Sequence, residues 1–400
     1  MSGKRLNWFG VAVWTSVLAS GATPSMAQTT VKIGIVNSYS GFLAGAGDEM
    51  QKGIDLYAKT HMKDLPVGVV IEVLKRDDGS APETGKRVAQ ELITRDHVQI
   101  LMGIISSPVA AAIAPLTIEA KIPLVLTNAG GVALTRLSPY LVRTSFTLWQ
   151  LALPLGKWAV GNGSKKAYSI VADYIPGYDA EGAFAKGFTD AGGEMIGSVR
   201  VPPNNPDFAT FVQKAKDANP DTLFIFVPAG QQSTAMMKTI KNLGLREAGI
   251  TVVGTHDLVP DEELPNMGDA PVGLVSAGTY STAAQRPANA AFLAAWAKEY
   301  GDKSTPNFFS VGGWDGMAAV IDVIKQTKGK FNGDEAMAIM KNWKNPDSPR
   351  GPISIDPNTR DIVQNVFIRR TEMKDGKLVN TELVTIPDVK DPWKELNPPK

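Results

Sequence analysis

The chain has 400 residues, with 41 Lys and Arg against 40 Asp and Glu, 44% hydrophobic residues, 3 histidines and no cysteine. So even a charge leaves no basic field for nucleic acid or an anionic membrane surface, and the lack of cysteine excludes disulfides, thiol catalysis and thiolate metal sites. The length allows two domains, whose stability must then come from buried cores.

Residues 1–27 place Lys4 and Arg5 before an apolar segment that ends in Ser25-Met26-Ala27. This is the grammar of an export signal: a charged start, an apolar stretch and small residues at the cleavage site. The apolar part, about 14 to 16 residues, is shorter than the roughly 20 a spanning helix needs, and no Cys offers a lipid attachment point. The expected product starts near Gln28, is not lipidated and resides in a bacterial periplasm. Losing Lys4 and Arg5 takes 41 cations to 39 against 40 acids, a net charge near −1.

After the signal, VKIGIVNS (31–38) reads as a strand, 48–62 as a helix, 69–78 as a strand and 82–96 as a helix. Two short apolar strands, VQILMG and IPLVLT, enclose a helix over 107–121. The series then restarts with strands at 167–173, 198–202, 222–228 and 250–255, and helices at 179–191, 207–218 and 231–243. Strands alternating with helices predict parallel sheets covered on both faces, and two series predict two α/β units. Each series leaves its first strand through an aromatic, Gly-containing loop and enters a helix carrying Lys-Gly (Lys52-Gly53 and Lys186-Gly187). GLVSAGTYS (273–281) precedes helices near 288–300, 310–327 and 333–343. Residues 351–386 alternate apolar and polar around Asp375-Gly376, which predicts an antiparallel hairpin. No Pro/Ser-rich linker separates the units, so several ordered crossings are expected rather than one tether.

Catalytic patterns are missing: there is no G-x-S-x-G, no Walker lysine loop and no H-E-x-x-H. His61, His97 and His256 are scattered, and GAGDEM (45–50) puts Met50 where a dinucleotide fingerprint needs its last glycine. The expectation is a binding protein, not an enzyme, with no cofactor and no metal. Two strand ends are suggestive instead: Ser106-Ser107-Pro108 and Asn128-Ala129-Gly130-Gly131. In open parallel sheets ligands sit beyond the carboxyl ends of strands, beside helix N-termini. Ser107 falls where strand becomes helix, with Pro108 at the first helical position, and the unpaired N–H groups there suit an anion. Asn128, Ala129 and Gly130 are small enough for a ligand to reach the backbone. The plainer alternative is that Ser107 is an ordinary cap and the glycines a turn.

SYSGFLAGAGDEMQKGIDLY, the SSP-helix-LTNAGG unit and the order of elements over roughly residues 30 to 385 resemble the periplasmic leucine/isoleucine/valine-binding protein family, type I solute receptors of ABC importers. The resemblance implies two Rossmann-like lobes with parallel sheets flanked by helices, joined by three crossings near Phe146, Ala277 and Gly351. Lobe 1 would hold 28–146 plus 278–350 and lobe 2 would hold 147–277 plus 351–390, with the ligand between them. It also implies that a serine and main-chain groups of the first lobe hold the ligand's carboxylate, positions that match Ser107, Asn128 and Gly130. The family's ammonium-binding tyrosine falls at Ala229 or Gly230, and its acid falls where His256 stands and Asp257 follows. The family's first-lobe disulfide is absent. A buried ammonium needs acceptors and a counter-charge, so a carboxylate ligand without an ammonium is expected, unless Asp257 compensates by a one-residue shift.

Aromatic walls around a few polar anchors are usual for such pockets. Candidates are Tyr39, Phe42, Trp149, Tyr178 and Tyr280, with Gln231, His256 or Tyr178 available to bond a far-end hydroxyl or carbonyl; each aromatic could equally be packing. Trp314 is expected to pack its helix onto the first lobe, and His61 and His97 to lie on the surface. By resemblance the chain captures a small organic carboxylate, aromatic or otherwise non-amino, and presents it as a monomer to an inner-membrane ABC permease. Branched-chain amino acids are the alternative ligand, and a ligand-sensing subunit of a signalling system the alternative role.

Overall fold

The computed structural model describes residues 28–204 and 207–398; the expected export segment, 1–27, lies outside them. The first series forms β1 (Thr29–Asn37), α1 (Ala44–His61), β2 (Val69–Asp77), α2 (Pro82–Thr94), β3 (Ile100–Gly103), α3 (Ser107–Ala120), β4 (Leu124–Leu126) and β5 (Leu141–Arg143). These five strands make one parallel sheet in the order β2-β1-β3-β4-β5. The inner strands β3 and β4, and the end of β1, are apolar on both faces because each face is covered. Ile33, Ile35, Met102 and Val125 join one core with Met50 and Ile54 of α1, while Val36, Leu101, Leu124 and Leu126 join another with Leu92 of α2 and Ile113 of α3. Period-two alternation sends each strand's side chains into two cores at once.

The second series forms α4 (Leu148–Gly161), β6 (Lys166–Ala172), α5 (Ile175–Asp190), β7 (Glu194–Val201), α6 (Ala209–Asp217), β8 (Thr222–Phe226), α7 (Gln231–Asn242), β9 (Thr251–Thr255), α8 (Leu264–Met267) and β10 (Val275–Gly278). Strands β7, β6, β8, β9 and β10 are parallel neighbours in that order. The helix expected at 179 begins at Ile175, because Pro176 suits a first turn.

After β10 come α9 (Pro287–Tyr300), α10 (Phe308–Thr327), α11 (Gly333–Met340), β11 (Lys344–Asn345), β12 (Ile353–Ile355), β13 (Ile362–Lys374), β14 (Lys377–Val389) and α12 (Pro392–Leu396). Helix α10 returns to cover the first sheet: Val311, Met317, Val320 and Ile324 enter the core that holds Ile33 and Ile35. Strands β11 to β14 extend the second sheet in antiparallel fashion. Asp375 and Gly376 both have positive φ, the backbone a two-residue hairpin turn requires.

The chain thus passes between the two α/β units three times: between β5 and α4, between β10 and α9, and between α11 and β12, a stretch in which the two-residue β11 already pairs with β12. The second passage comes later than Ala277. Tyr280 and Ser281 are still bonded to the second unit, through Arg369 of β13 and Asn380 of β14.

Candidate functional site

The two strand ends highlighted by sequence lie side by side. After Gly103 the backbone turns through a left-handed Ile104 and enters α3. Ser106 occupies the N-cap position, but its side chain caps nothing. Ser107 is the first helical residue, and its hydroxyl accepts from the Gly131 N–H at 3.0 Å. The Asn128 amide donates to the Ile105 carbonyl at 3.2 Å, and the Ala129 N–H donates to the Ile104 carbonyl at 3.1 Å. Ser107 therefore ties the two loops together and is not the cap. The Asn128 Oδ1 atom is buried without a partner, a costly state that invites a donor from outside the chain.

Beneath this platform lies a buried guanidinium. Arg143 Nη2 donates to the Gly131 carbonyl at 2.6 Å and Nη1 to the Phe146 carbonyl at 3.3 Å, while Nε is 3.5 Å from Asp361 Oδ1. Burial lowers its pKa to about 10, so it stays charged at neutral pH.

Between the units is a cavity. The first unit supplies Leu43, Ile105, Asn128, Gly130 and Phe309, and the first passage supplies Phe146 and Leu148. The second unit supplies Tyr174, Pro176, Phe226, Pro228, Ala229 and Asp257. Most of these follow the carboxyl ends of β3, β4, β6, β8 and β9, where the strands of an open parallel sheet leave room for ligands. The aromatic walls are interlocked: Tyr174 stacks on Phe226 with centroids 6.2 Å apart and meets Phe42 edge-on at 6.5 Å. The units also touch directly, since the Val132 N–H donates to Asp179 Oδ2 of α5 at 2.8 Å.

Among the described residues Asp257 is the one acid on the cavity wall. It accepts from Thr255 Oγ1 at 2.8 Å, and burial pushes its carboxyl up to about 7. His256 does not face the cavity. Its ring is fully buried, stacked 3.6 Å from Phe308 and edge-on to Phe146 at 4.5 Å. The acid on the wall is thus displaced by one residue from the position expected by resemblance.

Other candidates sit elsewhere, each for a local reason. Tyr178 points outward: helix α5 starts at Ile175, so Tyr178 lies a full turn in, 41% exposed, under Arg200 and bonded to Asp173. Tyr39 bonds Gln51 through its hydroxyl and Asp77 through its N–H. Trp149 packs between α4 and α5, 3.8 Å from where a Gly182 side chain would begin. Gln231 is exposed as the first residue of α7. Tyr280 is wholly buried behind the second sheet, against Phe292. Tyr174, Phe226 and Phe309 were missed. The signal for the first two was their place at the strand ends, the rule that picked out Ser107 and Asn128. Among the described residues no group of His, Asp and Glu is placed to hold a metal.

A family profile described as periplasmic binding protein matches residues 30–377. A solute-binding protein of an ABC transporter from Rhodopseudomonas palustris BisB5, solved in complex with 3,4-dihydroxy benzoic acid, is 46% identical. The alignment covers 91% of this chain and 99% of that one, with a TM-score of 0.88. A solute-binding protein from R. palustris in complex with 4-hydroxybenzoate is 39% identical, covering 90% and 98%, with a TM-score of 0.87. Leu/Ile/Val-binding protein homolog 6 of Brucella melitensis is 36% identical over 97% of this chain and 98% of its own length.

Proposed function

The chain belongs to the periplasmic binding protein family, solute receptors of ABC transporters, and from that premise we propose that it captures an aromatic carboxylate, a benzoate or ring-hydroxylated benzoate, between its two α/β units. One observation carries this reading: among the described residues the cavity is walled by Phe146, Tyr174, Phe226 and Phe309, and its polar side chains are few, the Asn128 amide, the Tyr174 hydroxyl and Asp257, beside the Gly130 backbone. Aromatic walls suit a flat ring, and the free N–H groups at the adjoining start of α3 suit a carboxylate, while the unpartnered Asn128 Oδ1, an acceptor, would take a donor of the guest such as a ring hydroxyl. The relatives bound to 3,4-dihydroxy benzoic acid and 4-hydroxybenzoate support the same class. Ser107 would act by fixing the Asn128–Gly131 loop through its bond to the Gly131 N–H. The lobes would comprise 28–146 plus 282–350 and 147–281 plus 351–390, the second crossing following Ser281, closing as hinged bodies. The protein would work in the periplasm, as a monomer without enzymatic activity, delivering its ligand to an inner-membrane permease.

A second reading, a branched-chain amino acid, is favoured by Asp257, which ionised could pair an ammonium. Calorimetry and thermal shift with 4-hydroxybenzoate, 3,4-dihydroxybenzoate, benzoate, leucine and valine separate the two. Binding of the benzoates is expected; stabilisation by leucine or valine alone would overturn the proposal.

The two tyrosines of DYIPGYD give a sharper check. Tyr174→Ala removes a cavity wall and is expected to weaken 4-hydroxybenzoate by about 1–2 kcal/mol, roughly five- to thirtyfold. Tyr178→Ala, on the outer face, should leave the same titration within about twofold, as surface changes usually do.

A further inference from the structure

Asp257 shares the cavity wall with Asn128 and Gly130, where the proposed ligand would bring its own negative charge. No neighbour is free to neutralise it. His256 Nε2 is 3.6 Å from Asp257 Oδ2, but the imidazole is buried without a hydrogen-bond partner on either nitrogen. Burial, with the fields of Arg369 and Arg350, holds that imidazole far below its usual pKa, so it is neutral. Arg369 of β13 is the cation whose field reaches Asp257. Its Nη1 and Nη2 are committed to the Tyr280 carbonyl and Ser276 Oγ, and its charge is shared with Asp261 and Glu382. Tyr174 faces Asp257 as a neutral phenol, its ionisation opposed by burial and by the carboxylate. Among the described residues, no Lys, Arg or His lines the cavity.

A carboxylate enclosed beside an ionised Asp257 would therefore place two anions in one dry space with no cation on its wall. In such a pair one member keeps a proton. We propose that capture of the ligand is coupled to uptake of one proton by Asp257, whose neutral carboxyl then offers an O–H to the guest. This rests on the aromatic-carboxylate reading. The proton comes from solvent, and no other bond is made or broken. An ammonium-bearing ligand would demand the reverse, an ionised Asp257 and proton release, so the sign of proton exchange identifies the ligand class.

The test is calorimetry of 4-hydroxybenzoate and leucine with the mature chain, in buffers of different ionisation enthalpy, across about pH 6 to 8.5. For 4-hydroxybenzoate, uptake should approach one proton per ligand at the alkaline end and fall toward zero at the acid end. Affinity should weaken with pH by up to about tenfold per unit above the free carboxyl's midpoint. Asp257→Asn, close to isosteric, should abolish both the uptake and the slope. Tight 4-hydroxybenzoate binding without proton exchange, or with the same uptake in Asp257→Asn, overturns the coupling and leaves the ligand reading standing. Leucine binding with proton release, and no benzoate binding, overturns both. Should the variant fail to fold, the wild-type proton count decides alone.

Discussion

Arg350→Ala is expected to cost about 3–5 kcal/mol of stability, the penalty of stranding a buried charge by removing its partner. The guanidinium is 3% exposed and its Nη2 lies 2.9 Å from Oδ2 of Asp315, itself fully buried on α10. Its Nη1 donates to the Ser145 carbonyl and the Gln364 amide oxygen, both at 2.9 Å, and Nη2 also meets the Thr144 carbonyl. One side chain on the third passage thus grips the first passage, β13 and the helix that covers the first sheet. Asp315 would keep Ser348 at 2.8 Å and Asn345 at 3.4 Å, both neutral. Burial already raises its pKa, against the pull of Arg350, and losing the cation raises it further. A raised carboxyl contributes stability that is intact below the unfolded value, near 3.9, and lost as pH rises through the folded one. The variant should therefore lose less at about pH 5, where Asp315 can take a proton, than at about pH 8. Urea denaturation at both pH values measures this. An Arg350→Ala protein as stable as wild type at the alkaline value would show that the ion pair contributes nothing.

The layering of the fold was legible because burial writes itself as pattern. Ile33 to Val36 and Leu223 to Phe226 carry no polar side chain on either face, since helices cover both faces of each sheet, and Asp375-Gly376 marked the hairpin by backbone geometry alone. The strand-end loops were legible for a related reason, because Ser107 and Asn128 sit where a parallel sheet ends. What escaped was side-chain direction over one or two residues. His256 and Asp257 differ by one position, yet the short helical turn at 256–258 buries the first against Phe308 and shows the second to the cavity. Tyr174 and Tyr178 differ by one helical turn, and only the start of α5, not composition, decides which meets the ligand space. Tyr280 reads as a strand-exit aromatic but is drawn behind the sheet, where Arg369 holds its carbonyl.

The repeated Lys-Gly pairs have a mechanical meaning that yields the second large effect. In α1, a side chain on Gly53 would begin 1.9 Å from the Ser310 carbonyl of α10, and one on Gly313 of α10 would begin 2.2 Å from the Met50 carbonyl of α1. The second unit repeats the device: Gly187 of α5 faces the Leu153 carbonyl of α4 at 2.0 Å, and Gly156 of α4 faces the Phe184 carbonyl of α5 at 2.5 Å. In each unit a reciprocal pair of glycines lets two helices touch backbone to backbone, so the helices cannot accept even one methyl group without moving apart. Gly53→Ala and Gly187→Ala are each expected to destabilise by about 2–3 kcal/mol, because overpacking outweighs the gain of about 1 kcal/mol from better helix propensity. Gly45 supplies the contrast within α1, since it is exposed and nothing lies within 4 Å of its missing side chain. Gly45→Ala should therefore stabilise by up to about 1 kcal/mol. Opposite signs for Gly45→Ala and Gly53→Ala in thermal denaturation would locate the penalty in the helix crossing. Equal signs would reduce the shared Lys-Gly to coincidence, because propensity alone treats the two positions alike.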